Sequence, residues 1–335
     1  MAGREIAAQT SVASLSPTEV GQLIDGMRDL ADHLRGSTWT VISGWGSFFA
    51  RFLHVRSDRG VDLAIKFGKG WTAADTECVV AEIGRVRRLF AALPGGHVEV
   101  PPALGWSPGP AMIALPYVAG DNLFTALGES THPLHAAGGQ LDTIMRSAGQ
   151  ALGAYHSAET VPDDPEVRRV ARLDMEAAAR RSGFRSSLVD RLEREIAVVR
   201  GYRLSHNDFT VGEPVQGGPG LTILDPPHVR KFDHLHRDLS AFTLALHRAL
   251  IGERHLTSPD RVYVRLQDSF LEGYRTTGPV TLETDLDRWL LQFYELSRVG
   301  SQLVGRIRGR QPAPTMRSVR WWAAKRRALG SAPAF

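Results

Sequence analysis

Thiol chemistry is nearly absent from this chain: Cys78 is the only cysteine in 335 residues. A lone cysteine forms no intramolecular disulfide and no cysteine-rich zinc site, and it suits a reducing compartment, so a cytoplasmic location is expected. No run of about 18 apolar residues occurs, which excludes a transmembrane helix. Met1 to Ser16 is polar and Ala/Ser-rich, without the apolar stretch of a secretory signal. Lysine is scarce as well. Only Lys66, Lys69, Lys231 and Lys325 are present, so arginine supplies nearly all the positive charge behind the formal net of +4. Internal repeats are missing. What remains, 43% hydrophobic and 23% charged, is an ordinary globular composition, and 335 residues suffice for two lobes, each with a core.

The chain changes period along its length. Residues 1–16 are expected to form a flexible tail. Ser16-Pro17-Thr18-Glu19 predicts a helix start, with Ser16 as N-cap, Pro17 in the first turn and Glu19 in the capping-box position. Leu23, Met27, Leu30 and Leu34 follow at helical spacing. From Thr38 the pattern turns to strands: Trp39–Ser43, a tight turn at Gly44-Trp45-Gly46-Ser47, Phe48–Val55, a hairpin turn at Ser57-Asp58-Arg59-Gly60, and Val61–Phe67. A helix over 72–93 and a strand over 111–118 complete an N-lobe of residues 17–118. Gly120-Asp121 punctuates the boundary. Helical periodicity dominates a C-lobe of residues 119–311, at 141–156, 165–200, 239–250, 262–274 and 282–299. Residues 312–335 form a basic, Trp/Arg-rich C-terminal segment.

Within the helical half stands Ser205-His206-Asn207-Asp208-Phe209, and downstream of it Leu221-Thr222-Ile223-Leu224-Asp225. An His-x-Asp loop, then a short apolar strand ending in a second Asp, is how a kinase-like phosphotransferase places its base and its metal ligand. Asp208 would accept the proton of an acceptor hydroxyl, and Asp225 would hold the metal that bridges the nucleotide phosphates. Upstream, Gly44, Gly46 and Ser47 offer backbone that can approach phosphates closely. Lys66, in Leu63-Ala64-Ile65-Lys66, has the setting of a phosphate-pairing lysine. An inward ammonium needs a partner; Glu82 on the next helix is the natural one, Glu77 the alternative. Backbone groups near Leu115 to Tyr117 could meet an adenine edge.

With these residues in order, the chain resembles the aminoglycoside phosphotransferase-like branch of the protein-kinase-like superfamily, from about Trp39 to Leu250. Further matches are Ala151-Leu152-Gly153-Ala154-Tyr155-His156 and Arg237-Asp238-Leu239-Ser240. The resemblance implies an α+β, two-lobed fold with a small antiparallel sheet and a larger helical lobe. It implies ATP (or GTP) and Mg2+ as cofactors, with Asp208 as catalytic base, Asp225 as metal ligand, Lys66 paired with Glu82, and Asp238 as a structural brace for the catalytic loop. Glu213 stands where the family carries a metal-binding asparagine; a carboxylate is itself a good ligand for a hard cation. The expected activity is phosphorylation of a small-molecule hydroxyl on a sugar, nucleoside, aminoglycoside-like or other natural product. The alternative, motivated by Glu213 and by a glycine-rich turn that stops at Ser47, is a catalytically degenerate pseudokinase that binds or scaffolds.

The acceptor is expected to meet Asp233, His234, His236, Glu272 or Tyr274, and to be neutral or anionic given the basic net charge. No nucleic acid partner is expected. Trp321-Trp322 among arginines raises peripheral contact with an anionic membrane, against simple packing of that segment on the lobe. Nothing in the sequence signals an oligomeric state.

Overall fold

The computed structural model describes residues 16–46, 50–68, 70–93, 98–123, 127, 138–161, 164–182, 184, 189–190, 202–205, 209, 214–217, 220–223, 231–252, 259–307, 323, 327 and 329. Two compact units emerge, Met1–Gly120 with Val215–Val229, and Asp121–Pro214 with Arg230–Phe335. The chain begins with α1 (Pro17–Asp25), a 3-10 turn (Asp32–Leu34), β1 (Trp39–Gly46), β2 (Ala50–Ser57), β3 (Asp62–Gly68), α2 (Ala73–Ala91), β4 (Val98–Glu99), β5 (Gly105–Ser107) and β6 (Met112–Pro116). It continues through β7 (Asp121–Asn122), α3 (Gly138–Ser157), β8 (Thr160–Val161), α4 (Pro165–Ser182), β9 (Tyr202–Ser205), β10 (Pro214–Gly217), β11 (Gly220–Ile223), β12 (Lys231–Asp233), α5 (His236–Gly252), α6 (Pro259–Thr277) and α7 (Asp285–Ile307).

The first unit is built on an antiparallel sheet of order β1-β2-β3-β6-β5. Its two faces follow from strand alternation. Leu53, Val55, Leu63, Ile65, Met112 and Ala114 point one way and pack with Val20, Ile24 and Met27 of the α1 region and with Trp39. Phe52, His54, Ala64, Lys66, Ile113 and Leu115 take the other face, with Phe52, Lys66 and Ile113 as register partners. The helix that starts this unit forms as its sequence dictates. Ser16 Oγ accepts the Glu19 amide, and Glu19 Oε2 accepts the Ser16 amide at 2.8 Å. Thr72 and Asp75 repeat the arrangement at the start of α2.

The first unit departs from the sequence expectation in its details. β1 runs on to Gly46, so Gly44 and Gly46 are ladder residues opposite Leu53 and Arg51 rather than a turn. A register shift between Val41 and Ser43 accommodates one extra residue, and Ile42 is left exposed there, as a bulge permits. β5 was not expected. Gly105 packs closely in it: a Cβ there would come within 3.1 Å of the Arg28 carbonyl and the Leu30 side chain, so these neighbours would have to give by a few tenths of an ångström.

In the second unit, β8, β9 and β12 form a small antiparallel sheet in the order β12-β9-β8, and helices supply the bulk. α4 and α7 enclose a core of Met175, Ala178, Ala179, Trp289, Leu290, Phe293 and Leu296, joined by Leu329 from the C-terminal segment. α7 starts at Asp285, later than its apolar pattern implies. Leu282 has φ +59, and Thr284 with Asp287 forms the cap that sets the first turn. α3 and α6 touch backbone to backbone. A Cβ on Gly149 would lie 2.0 Å from the Phe270 carbonyl, and one on Gly273 would lie 2.0 Å from the Arg146 carbonyl. Thr277 Oγ1 donates to the Gln150 carbonyl across this seam at 2.7 Å.

The helix seam makes a direct prediction. Gly149→Ala should destabilise the protein by about 3 kcal/mol, the upper end of overpacking costs, because backbone cannot move aside as a side chain can. Gly109→Ala, whose new Cβ would have only Ser107 Oγ at 3.9 Å, should stay within about 0.5 kcal/mol of wild type. Urea unfolding of both variants checks the difference.

Candidate functional site

In the first unit, β3 and α2 bring Lys66 and Glu82 into the interior. Lys66 is 2% exposed, its ammonium 5.2 Å from the Trp71 ring centre and 5.8 Å from that of Phe52. On α2 the buried stripe is Thr76, Val79, Glu82, Ile83, Val86 and Phe90, so helical periodicity turns Glu82 inward. Glu77 falls on the outer side, 59% exposed and 4.0 Å from Arg28. Of the two acidic candidates from the sequence, only Glu82 occupies the inner face. Its carboxylate accepts from Arg85 Nε at 2.8 Å and Nη2 at 2.5 Å, a bidentate pair across one helical turn.

Near the end of β6, Leu115 is buried opposite Ala64. The Tyr117 amide donates to the Asp62 carbonyl at 3.2 Å, and its ring stacks on His54 with centroids 3.6 Å apart. His54 Nε2 in turn lies 2.8 Å from Asp62 Oδ1. Arg56 first, and then His54, hold the Asp62 carboxyl below the usual aspartate range. The amide of Tyr117 is therefore committed to β3, and an adenine edge would have to meet neighbouring backbone groups.

The second unit anchors the chain on both sides of residues 206–208. Ser205, the last residue of β9, is 1% exposed and donates from Oγ to Asp238 Oδ2 at 2.9 Å. Phe209 is equally buried and stacks on Phe242, which stacks on Phe270. Asp238 also accepts from His156 Nε2 at 3.2 Å, with both side chains fully buried. With that nitrogen carrying the proton, His156 Nδ1 is left to accept from the Tyr274 hydroxyl at 2.9 Å. Burial, with the nearby Asp238 charge, raises the Tyr274 phenol well above its ordinary pKa and keeps the hydroxyl protonated as a donor. Asp238 thus grips the strand end that immediately precedes His206-Asn207-Asp208.

Asp208, Glu213, Asp225 and Ser47 lie outside the described residues, as does His206. Ile223, two positions before Asp225, is 1% exposed on β11, which pairs in parallel with β4. Among the described residues no group of three His, Cys, Asp or Glu side chains could hold a metal ion.

The suggested acceptor-lining residues are mostly structural. His236 bonds to Asp287 at 2.9 Å, Asp233 and Asp174 grip Arg237, and Tyr274 serves His156. Burial alone would lower the Arg237 pKa, but Asp233 and then Asp174 outweigh it and raise the net value. Glu272 is exposed and pairs with Arg146. Sequence reasoning passed over Trp71 and Arg85. The signal for Trp71 was its position between two glycines and a helix cap; that for Arg85 was its spacing of three from Glu82.

No protein-family model and no curated protein sequence matches the chain. Solved structures do. An amicoumacin kinase in complex with AMP-PNP and Ca2+ superposes with a TM-score of 0.55 at 12% identity, covering 97% of this chain and 95% of that one. A glucosamine kinase in complex with glucosamine, ADP and inorganic phosphate gives 0.55 at 14% identity, covering 94% and 86%. A spectinomycin phosphotransferase in complex with ADP and spectinomycin gives 0.51 at 15% identity, covering 95% and 98%. The chain has the two-lobed fold of these protein-kinase-like small-molecule kinases.

Two predictions follow from the buried polar groups. Asp238→Ala strips a buried histidine and hydroxyl of their acceptor and should cost about 3–5 kcal/mol in urea unfolding. His234 is buried, and burial lowers its pKa from 6.5 to about 4, with Asp233 opposing. Between those values the unfolded chain holds a proton that the folded chain lacks, so stability falls as pH drops through the window. The loss is complete below about pH 4 and amounts to roughly 3 kcal/mol. His234→Gln should flatten this part of the stability–pH curve.

Proposed function

We propose that this chain is an ATP- and Mg2+-dependent phosphotransferase acting on a hydroxyl of a small molecule. The observation that carries the reading is the anchoring of Ser205 and Phe209 by buried partners in a kinase-like helical unit, with His206-Asn207-Asp208 between them. A loop fixed at both ends can hold a carboxylate at a set distance from an acceptor, and phosphoryl transfer depends chiefly on such positioning.

In this reading Asp208 accepts the proton of the attacking hydroxyl as the hydroxyl oxygen bonds to the γ-phosphorus and the bond from that phosphorus to the β,γ-bridging oxygen breaks, releasing the nucleoside diphosphate. Lys66 orients the phosphates. A buried ammonium fits that task, since phosphate oxygens replace the water it has lost. Asp225 and Glu213 would hold the divalent ion, which neutralises charge on the transferring group. Gly44 and Gly46, with Ser47, close over the phosphates, and the segment around Leu115 and Tyr117 receives the base of ATP or GTP. We place the enzyme in the cytoplasm. Among the described residues no helix is long and apolar enough to cross a membrane. For residues 312–335 we favour packing on the second unit over contact with an anionic membrane, since Leu329 is buried in its core.

Glucosamine, amicoumacin and spectinomycin name the first acceptors to screen, alongside sugars and nucleosides. A second reading, a kinase-fold binding protein without turnover, is favoured by Glu213 and by the double engagement of Glu82 with Arg85. The test is transfer from ATP across that panel, with the phosphorylated product detected by mass. Asp208→Ala should lower turnover about 10^2- to 10^4-fold, the usual contribution of a general base, while nucleotide affinity is retained. Full activity in that variant removes Asp208 from the role; no product from any acceptor moves the balance to the binding protein.

A further inference from the structure

Gly68, Gly70 and Trp71, which follow Ile65-Lys66-Phe67, do something a plain strand end would not. Gly68 closes β3, Gly70 has φ +78, and the Trp71 amide donates back to the Gly68 carbonyl at 3.4 Å. The turn folds the indole onto the strand it has just left. A Cβ on Gly68 would stand 1.6 Å from Trp71 Cδ2, so the absence of a side chain there is what admits the ring. Gly68 is two positions beyond Lys66 and on the same face of β3, and the ring thereby comes within 5.2 Å of the ammonium. Phe52, the cross-strand partner of Lys66, lies on another side at 5.8 Å. Both distances fall inside the range of cation–π attraction, which is strongest for tryptophan and grows when the charge is desolvated, as it is here.

Immediately after Trp71, Thr72 caps α2, the helix that carries Glu82. One short segment therefore ties the lysine's strand, the aromatic wall and the start of the acidic residue's helix. Glycine at 68 and at 70 is a conformational requirement of that segment, since one position must accept the indole and the other a left-handed backbone.

We propose that Trp71 is a positioning residue for Lys66: its ring face restrains the ammonium in the orientation that meets nucleotide phosphate, and does so through cation–π attraction rather than by filling space. The proposal rests on the phosphotransferase reading, and the experiment separates the two. The chain has seven tryptophans but four lysines, so lysine signals are the simpler probe. In protein labelled with [13C]lysine, the Lys66 signal is identified by its loss in Lys66→Arg. Its ε-methylene protons should be shifted upfield by the two rings, and Trp71→Leu should remove most of that shift. ATP affinity, measured calorimetrically with Mg2+, should fall about five- to thirtyfold in Trp71→Leu. It should fall no further when the same change is made in Lys66→Met, because the interaction is already gone.

Trp71→Phe, which keeps a ring face, should recover most of the affinity. Gly68→Ala, which displaces the indole without altering either partner, should reproduce Trp71→Leu and serves if the leucine variant folds poorly. Equal losses in the wild-type and Lys66→Met backgrounds would overturn the proposal in favour of simple packing, as would an unchanged Lys66 signal in folded Trp71→Leu. Wild-type protein that binds no nucleotide overturns the phosphotransferase reading, and the positioning role with it. Normal binding that ignores Trp71→Leu overturns the positioning role alone.

Discussion

Asp238 is a carboxylate with no access to water, and the order of the second unit depends on how that charge is satisfied. A buried carboxylate is tolerated only when donors surround it. Ser205 Oγ and His156 Nε2 are two such donors, arriving from β9 and from the end of α3. His156 is itself fully buried and relies on the Tyr274 hydroxyl from α6. Tyr274 reaches it because α3 and α6 are held at a separation that only glycine at 149, 153 and 273 allows. The consequence runs outward from a helix–helix contact, through four polar side chains, to the strand end that introduces His206-Asn207-Asp208.

The first unit solves a different problem, with fewer charged residues in its interior. One face of its sheet is apolar and covered by the α1 region; the other carries a lysine that is scarcely exposed. An isolated ammonium there would be costly, and the aromatic rings of Trp71 and Phe52 stand on two sides of it. Glu82 is turned inward by the period of α2 and gripped by Arg85. In the function proposed above, Lys66 of the first unit and the Ser205–Asp238 contact of the second serve different parts of the same transfer.

Much of this was legible in the sequence because local signals were strong. The Ser16-Pro17-Thr18-Glu19 cap, the hairpin at Ser57–Gly60 and the strand bearing Lys66 all depend on neighbours in the chain, and all formed where expected. The resemblance implies Asp238 as a brace for the catalytic loop; in the structure Asp238 is buried and accepts from Ser205, three positions before Asp208. What was hidden depends on distant partners. The sequence suggests Asp233, His234 and His236 as acceptor-lining residues, yet all three are buried, with Asp233 paired to Arg237 and His236 to Asp287. Gly44 and Gly46 read as a turn because glycine usually marks one, whereas a bulge at Ile42 let the strand continue through them. The glycines of the α3–α6 seam carry no local signal at all, since what they require is the other helix.

The most direct test of the account is the thermal unfolding midpoint with millimolar ATP, with and without Mg2+. A ligand that binds only the folded chain raises the midpoint by mass action, and about a hundredfold excess over the dissociation constant corresponds to roughly 2.7 kcal/mol. A nucleotide-dependent phosphotransferase should show a rise of several degrees that depends on Mg2+. An unchanged midpoint under both conditions would contradict that function and leave the kinase-like fold without a nucleotide.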